Sequence, residues 1–392
     1  MRLTWVTRSF LDYRIPVYAE LDKLCDHNLT LIYNGEVVPE RCQQKIQSVL
    51  GCRAIALNGE KRLSGQKSAP ISSIRRGGVR IPLQPGLIQS CKDSLPNVCI
   101  SDGFFQWTYA TLWMRIRHHV PHVMCYEPTK HTERHAQFFR TLYRRFSSRW
   151  IDAICCNGSL CLEYCRDILH IPDRKLSTGQ MAADSEQLVT SCLDIADEQV
   201  QVFRKHLSLK GTVFLFVGRL VELKGLQQLF EAWHEASLNN ATLLIVGEGP
   251  QRSELEAFSL QHNLPIAFAG NVDYSQIAIY YRAADVFIIP TLQDNWSLVV
   301  PEAMACGLPI ACSKYNGCWP ELVKPENGWV FDPLNQEETV RTLQEIGSCD
   351  TFKLQKMGQC SREIVQDFSP PKAAQAIFNA CEKVLAVNRK DD

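Results

Sequence analysis

The residues best placed to do chemistry together lie in one stretch of the second half, Pro290-Thr291-Leu292-Gln293-Asp294-Asn295-Trp296-Ser297-Leu298-Val299-Val300-Pro301-Glu302-Ala303-Met304-Ala305-Cys306-Gly307-Leu308-Pro309. An apolar run ends at Pro290, a polar loop follows, and a helix is expected from about Leu298. Asp294 stands in the loop and Glu302 about one turn into the helix. Carboxylates accept from hydroxyl groups, and the first turn of a helix offers free N–H groups to an anion. That pairing suits a ligand carrying both hydroxyls and phosphates. The plain alternative is a dipole-compensating Asp beside an ordinary surface Glu.

Three further loops carry the same kind of signal. In Phe216-Val217-Gly218-Arg219-Leu220-Val221-Glu222-Leu223-Lys224-Gly225, Gly218 allows a close turn, and Arg219 and Lys224 can neutralise a pyrophosphate and stabilise its departure. Val246-Gly247-Glu248-Gly249-Pro250 and Phe268-Ala269-Gly270-Asn271-Val272 are glycine-containing turns after apolar runs, and backbone groups near Asn271 and Val272 could read a nucleobase edge. Each loop alone is a weak motif. All four follow expected strands, so all four should line one rim.

The elements that must position them alternate short apolar runs with helical periodicity, the pattern of an α/β protein with mainly parallel sheets. In the first half strands are expected near Leu3–Val6, Leu29–Tyr33, Arg53–Leu57, Val98–Ser101, His122–Tyr126 and Ala153–Asn157. In the second they fall near Val213–Val217, Thr242–Val246, Ile266–Ala269, Val286–Pro290, Pro309–Cys312 and Gly328–Phe331. Helices are expected around Val17–Cys25, Tyr109–His118, Arg134–Arg149, Leu226–Ser237, Arg252–His262, Tyr274–Ala283 and Val300–Cys306. Asn58–Pro85, rich in Gly, Ser, Pro and Arg, reads as a long mobile loop. The expected architecture is two Rossmann-like doubly wound domains facing a cleft: residues 1–185, residues 186–369, and a terminal helix over 370–392, opened by Ser369-Pro370-Pro371, that crosses back to the first.

Residues 1–185 hold 25 Lys and Arg against 16 Asp and Glu, a surplus of nine that the rest of the chain cancels to a net charge of zero. The basic half points to an anionic partner, membrane surface or phosphorylated substrate; the plain reading is a solubilising surface. Seventeen cysteines without a CxxC are expected to be reduced and mostly buried. The chain shows no secretory leader and no run of the roughly 18–20 apolar residues a membrane span needs, so a cytoplasmic location is expected.

Together, in this order and spacing, Gly218-Arg219-Leu220 with Lys224-Gly225, Val246-Gly247-Glu248-Gly249-Pro250, Gly270-Asn271-Val272 and Asp294-Asn295-Trp296-Ser297-Leu298 through Pro301-Glu302-Ala303 resemble the retaining family 4 glycosyltransferases of the GT-B fold. The resemblance covers Phe214 to about Pro333. It implies a nucleotide-diphospho-sugar donor, UDP- or GDP-linked, with Arg219 and Lys224 on the diphosphate and Glu302 on the ribose. Asp294 would complete the catalytic set; Gly218, Glu248, Asn271, Val272, Asn295, Trp296, Ser297 and Leu298 would line the donor. With two cations in place, no metal or other cofactor is expected to be essential for transfer. The family usually has Glu where Asp294 stands, and often Gly-Phe-Gly where Asn295-Trp296-Ser297 stands.

The first half is less explicit. Where the family places a glycine-rich loop, Thr7–Pro16 has none, and Arg8 or Arg14 is expected to supply charge there instead of backbone amides. The family's histidine is missing from Ile100–Trp107. Arg14, Glu127, Lys130 and His131 are the acceptor-site candidates, the last three from the polar run after the strand ending at Tyr126. His131 and His135 have the i, i+4 spacing of a zinc pair but no third ligand, so no metal is expected there. Arg134–Trp150 combines aromatic and Arg residues and could lie on an anionic bilayer holding a lipid-linked acceptor; a core helix with a solvated basic face is the alternative. Nucleic acid is not an expected partner. A sugar-nucleotide epimerase or hydrolase of the same fold, or a non-catalytic carbohydrate-binding relative, are the competing readings to glycosyl transfer.

Overall fold

Strands that are apolar on both sides need cover on both sides, and parallel sheets with helices on each face provide it. The computed structural model describes residues 1–62, 82–182 and 184–391. They divide into two units, Met1–Ala182 with Pro370–Asp392, and Ala183–Ser369. Most of the expected loop Asn58–Pro85, residues 63–81, lies outside the described residues.

Among the described residues the main sheet of the first unit has seven strands, β1 (Leu3–Val6), β2 (Leu29–Asn34), β3 (Ala54–Leu57), β4 (Val98–Asp102), β5 (His122–Tyr126), β6 (Ala153–Cys156) and β7 (Leu176–Thr178), beside a short antiparallel pair, Lys61–Arg62 with Pro82–Leu83. The order in the main sheet is β3-β2-β1-β4-β5-β6-β7, all parallel. Alternation along each strand feeds two cores: Leu3 and Trp5 join the cluster of Tyr18 and Tyr33, while Val6 joins Ile32 and Trp107 on the other face. Helix α1 (Ile15–Leu24), with Pro16 in its first turn, packs on the Trp5 face. The terminal helix covers that same face. Ala373, Ala374, Ile377, Ala380, Cys381 and Val384, spaced at helical period, are all buried there, and their small side chains let it lie close to α1.

Helix α2 (Thr108–His118) and helix α3 (Phe138–Ser147) follow β4 and β5. Helix α3 starts four residues later than the sequence pattern suggests. Residues 130–136 form successive turns instead, with Glu133 N bonded to Thr129 O and Ala136 N to Glu133 O. His131 and His135 therefore do not share a helical face.

The second unit has six parallel strands, β8 (Thr212–Val217), β9 (Ala241–Val246), β10 (Ile266–Gly270), β11 (Val286–Ile289), β12 (Ile310–Ser313) and β13 (Gly328–Phe331), in the order β10-β9-β8-β11-β12-β13. Strand order reverses between β8 and β11. In open sheets of this kind ligands bind outside the carboxyl ends at such a reversal, and the loops after β8 and β11 stand there.

Candidate active site in the second unit

Backbone hydrogen bonds lace the glycine loops of this rim together. Gly218 N donates to Val246 O (2.9 Å), Leu220 N to Glu248 O (2.9 Å) and Gly247 N to Gly270 O (2.7 Å). Across the reversal, Leu292 N donates to Leu223 O (2.8 Å) and Thr291 Oγ to the same carbonyl (2.9 Å). Gly225 sits at φ +68°, and any Cβ there would run into the carbonyl of Pro290. Only glycine allows the β8 and β11 loops to close on each other at this point.

That closure brings Lys224 to Asp294, Nζ to Oδ2 at 2.6 Å. Asp294 Oδ2 also accepts from Ser297 Oγ (2.7 Å) and Oδ1 from Trp296 N (3.1 Å). A carboxylate offers about four acceptor positions; two are spent on its own loop and one on Lys224. The loop is further fixed by Asp294 N to Tyr315 O, Gly317 N to Asp294 O (3.0 Å) and Ser297 N to the buried Asn316 Oδ1 (3.3 Å). Lys224 keeps two of its three donors for another partner.

The helix Val299–Ala305 begins directly after this loop and carries Glu302. Tyr274 Oη donates to Glu302 Oε1 (3.3 Å) and the buried Tyr281 Oη to Oε2 (3.2 Å). Burial pushes the Glu302 carboxyl up to about 7, against the smaller downward pull of the two phenol hydrogen bonds. Each oxygen retains one acceptor position. Tyr274, Tyr281 and Asn316 escape a reading of sequence alone. The seven-residue spacing of the two tyrosines, two helical turns, is the one trace of their shared target.

The remaining residues expected at the site are placed as follows. Arg219 is exposed and makes no salt bridge among the described residues. Glu248 is exposed and paired with Arg252, which also holds Glu256 at 2.8 Å. Asn271 is exposed and Val272 half-buried beyond β10, Asn295 and Leu298 are half-buried, and Trp296 and Ser297 are buried.

In the first unit the strand-end charges are turned inward. Arg14 is buried, donating to Gln180 O (2.9 Å) and Gln180 Oε1 (2.7 Å), with its guanidinium over the Trp5 ring and Asp102 at 3.8 Å. Arg8 is held by Glu60, which also accepts from Trp107 Nε1 (3.0 Å) and Asn34 Nδ2 (3.2 Å). Neither cation is free for a ligand. Glu127 is half-buried and acts electrostatically on Tyr13, whose hydroxyl is raised to about 12, by burial first. Lys130 pairs with Asp167 (2.7 Å) on the surface, and His131 is half-buried in the turns before α3. The structure thus gathers Glu127 toward the Tyr13–Arg14 group and leaves Lys130 with the helix after β6.

Residues 198–363 match the profile of the family described as glycosyl transferases group 1. The match lies in the second unit and covers less than half of the chain. A sulfoquinovosyl transferase of Arabidopsis thaliana is 22% identical over 81% of this chain and 62% of its own. An alpha-monoglucosyldiacylglycerol synthase of Acholeplasma laidlawii is 30% identical over 38% of each. The chain spans about half the length of most curated relatives it matches. An Anabaena protein solved in complex with UDP superposes with a TM-score of 0.72 at 15% identity, covering 98% of this chain and all of that one. The chain therefore has the two-domain α/β architecture of the GT-B fold.

Proposed function

We propose that the protein is a retaining glycosyltransferase that moves a hexosyl group from a UDP- or GDP-linked sugar to a glycan or lipid-linked acceptor. The observation that carries this reading is the rim at the β8/β11 reversal. There a lysine oriented by an aspartate, an exposed arginine and a half-satisfied carboxylate all follow the carboxyl ends of two neighbouring strands. In this reading Arg219 and the two free donors of Lys224 take the diphosphate, and Asp294 positions Lys224. Glu302 receives the ribose hydroxyls on its two open lone-pair positions. The Asn295–Leu298 loop borders the sugar, and Gly218, Glu248, Asn271 and Val272 border the nucleotide.

The bond from the anomeric carbon to the phosphate oxygen breaks as the bond to the acceptor oxygen forms on the same face. The acceptor's proton passes to the departing phosphate. Charge develops on the leaving diphosphate, and preorganised cations stabilise it more in the transition state than in the ground state. The similarity to an alpha-monoglucosyldiacylglycerol synthase supports a lipid-linked acceptor.

Helix α3 supports the same acceptor. Phe138 and Phe139 are each 74% exposed, with Leu142 and Phe146 about half exposed along the same helical period, beside Arg140, Arg145 and Arg149. Large aromatic side chains left in water, flanked by arginine, fit the interface of an anionic bilayer. Arg144 is the exception on this helix: it is buried, bonded to Glu133 (2.7 and 2.8 Å) and Tyr164 Oη (2.8 Å). Among the described residues no helix is long and apolar enough to cross a membrane.

A panel of nucleotide-sugars screened by thermal unfolding tests the donor, since a ligand that binds only the folded state raises the melting temperature. No stabilisation by any UDP- or GDP-sugar would overturn the reading. Sedimentation with phosphatidylglycerol vesicles at low salt tests the membrane contact. Phe138→Ser with Phe139→Ser is expected to abolish it; equal sedimentation of that variant rejects α3 as the contact.

A further inference from the structure

The sequence holds Cys155-Cys156 and, a few residues on, Cys161 and Cys165, none of which glycosyl transfer uses. Pleating sends Cys155 to the α1 face of the first unit and Cys156 to the opposite one. Cys156 ends β6. The helix that follows, α4 (Ser159–Glu163), carries Cys161 and runs into a wider π-helical turn, marked by Leu169 N bonded to Tyr164 O at 3.1 Å. Cys165 lies on that turn, four residues after Cys161 and on the same side. Such insertions occur often at functional sites.

The three Sγ atoms lie within 4.8 Å of one another, and all three residues are fully buried. Cys156 and Cys165 have their sulfurs 3.9 Å apart. A disulfide needs about 2.05 Å. Metal–thiolate bonds of about 2.3 Å, opened at trigonal or tetrahedral angles, put sulfurs about 3.8 to 4.0 Å apart. The observed spacing is that of an edge of a metal–thiolate polyhedron. No His, Asp or Glu joins the group among the described residues. The guanidinium of Arg144, paired with Glu133, is also bonded to Tyr164 Oη, next to Cys165 in sequence.

We propose that Cys156, Cys161 and Cys165 form a three-thiolate site for a thiophilic d10 cation, Cu(I) foremost, in the core of the first unit. Soft sulfur ligands select such ions, and three coordination without a fourth side chain suits Cu(I) better than Zn(II), which takes four ligands. The ligands surrender three thiol protons as the ion binds. Buried cysteines that act only as small hydrophobes would hold no metal; metal binding separates the two.

The test loads the reduced full-length chain, in a Cys52→Ser background that removes the exposed thiol, with Cu(I) under anaerobic conditions against a colorimetric Cu(I) chelator. One equivalent is expected to stay with the protein and with Cys155→Ser. Cys156→Ser and Cys165→Ser are expected to lose it, with circular dichroism unchanged. Equal retention by Cys165→Ser, or complete loss of copper to the chelator from the parent chain, overturns the proposal. Should the serine variants fail to fold, X-ray absorption of the copper-loaded parent decides. Three sulfur scatterers support the site, and two sulfurs or mixed nitrogen and oxygen ligands overturn it.

Discussion

In the second unit Gly218, Gly225, Gly247 and Gly249 stand in the loops after β8 and β9 and Gly270 ends β10, whereas the segment after β1 in the first unit, Thr7–Arg14, holds no glycine. The consequences differ in kind. Glycine lets backbones approach closely, so the loops of the second unit are tied by main-chain hydrogen bonds and their side chains stay available. Without glycine, the first unit fills the equivalent space with side chains. Phe10 enters the core against Tyr18 and Tyr33, Arg14 is buried on Gln180, and Arg8 is clamped by Glu60. A cation in the first rim is tied into the fold, whereas in the second Arg219 is exposed and Lys224 has one partner, Asp294.

The sharpest way to break that contrast is to remove one cation from each rim. Lys224→Ala is expected to lower kcat/KM for any accepted donor about 10²–10³-fold, the usual cost of one preorganised charge contact, with the melting temperature nearly unchanged. Normal turnover in Lys224→Ala would remove the second rim from the chemistry. Glu60→Ala is expected to do the reverse. It strands Arg8 and the indole N–H of Trp107 in a mostly buried setting and should cost about 2–4 kcal/mol of stability. Chemical denaturation would measure this, while kcat of the remaining folded protein holds. A Glu60→Ala protein of normal stability but lost turnover would mean that the first rim is functional too.

A smaller effect sharpens the role of glycine itself. Gly225→Ala must place a Cβ against the Pro290 carbonyl at a left-handed backbone position. The expected loss is about 1–3 kcal/mol, with donor KM rising because the Lys224–Asp294 contact depends on the same closure. Unchanged stability and unchanged KM together would show that the two loops need not close there.

Much of this was legible in the sequence, and the misses share a cause. Strands such as Val213–Val217 declare themselves because five or six consecutive apolar residues suit a sheet covered on both faces. The strand Leu176–Thr178 does not, being three residues long and mostly polar. The start of α3 was misplaced because Arg134–Gln137 continues a helix-like pattern while Thr129 and Thr132 turn the chain back on itself. At the rim, the residues on one loop could be read, but their partners could not. Nothing local connects Glu302 to Tyr281, or Asp294 to Asn316, since such contacts arise only after the sheet has set its order. Arg14 shows the same limit: its burial rests on Gln180, 166 residues away.

The gentlest test bears on Glu302, the one strongly perturbed carboxyl of the second rim. Its folded value of about 7 stands above the usual 4.5, so the folded state holds its proton more tightly than the unfolded chain. That contribution to stability is complete below about pH 4.5 and disappears as the pH rises through 7. The apo protein should therefore lose part of its melting temperature between those limits, and Glu302→Gln should lose less. Donor binding should run the opposite way. Ribose hydroxyls donate to the ionised carboxylate, so nucleotide-sugar affinity is expected to rise through pH 7, by up to about tenfold per unit below that point, and to flatten in Glu302→Gln. Calorimetric titration at several pH values would read both slopes. An affinity that falls as Glu302 ionises would mean the acid form is the donor-binding one, with the protonated carboxyl giving a hydrogen bond to the ligand instead of accepting two.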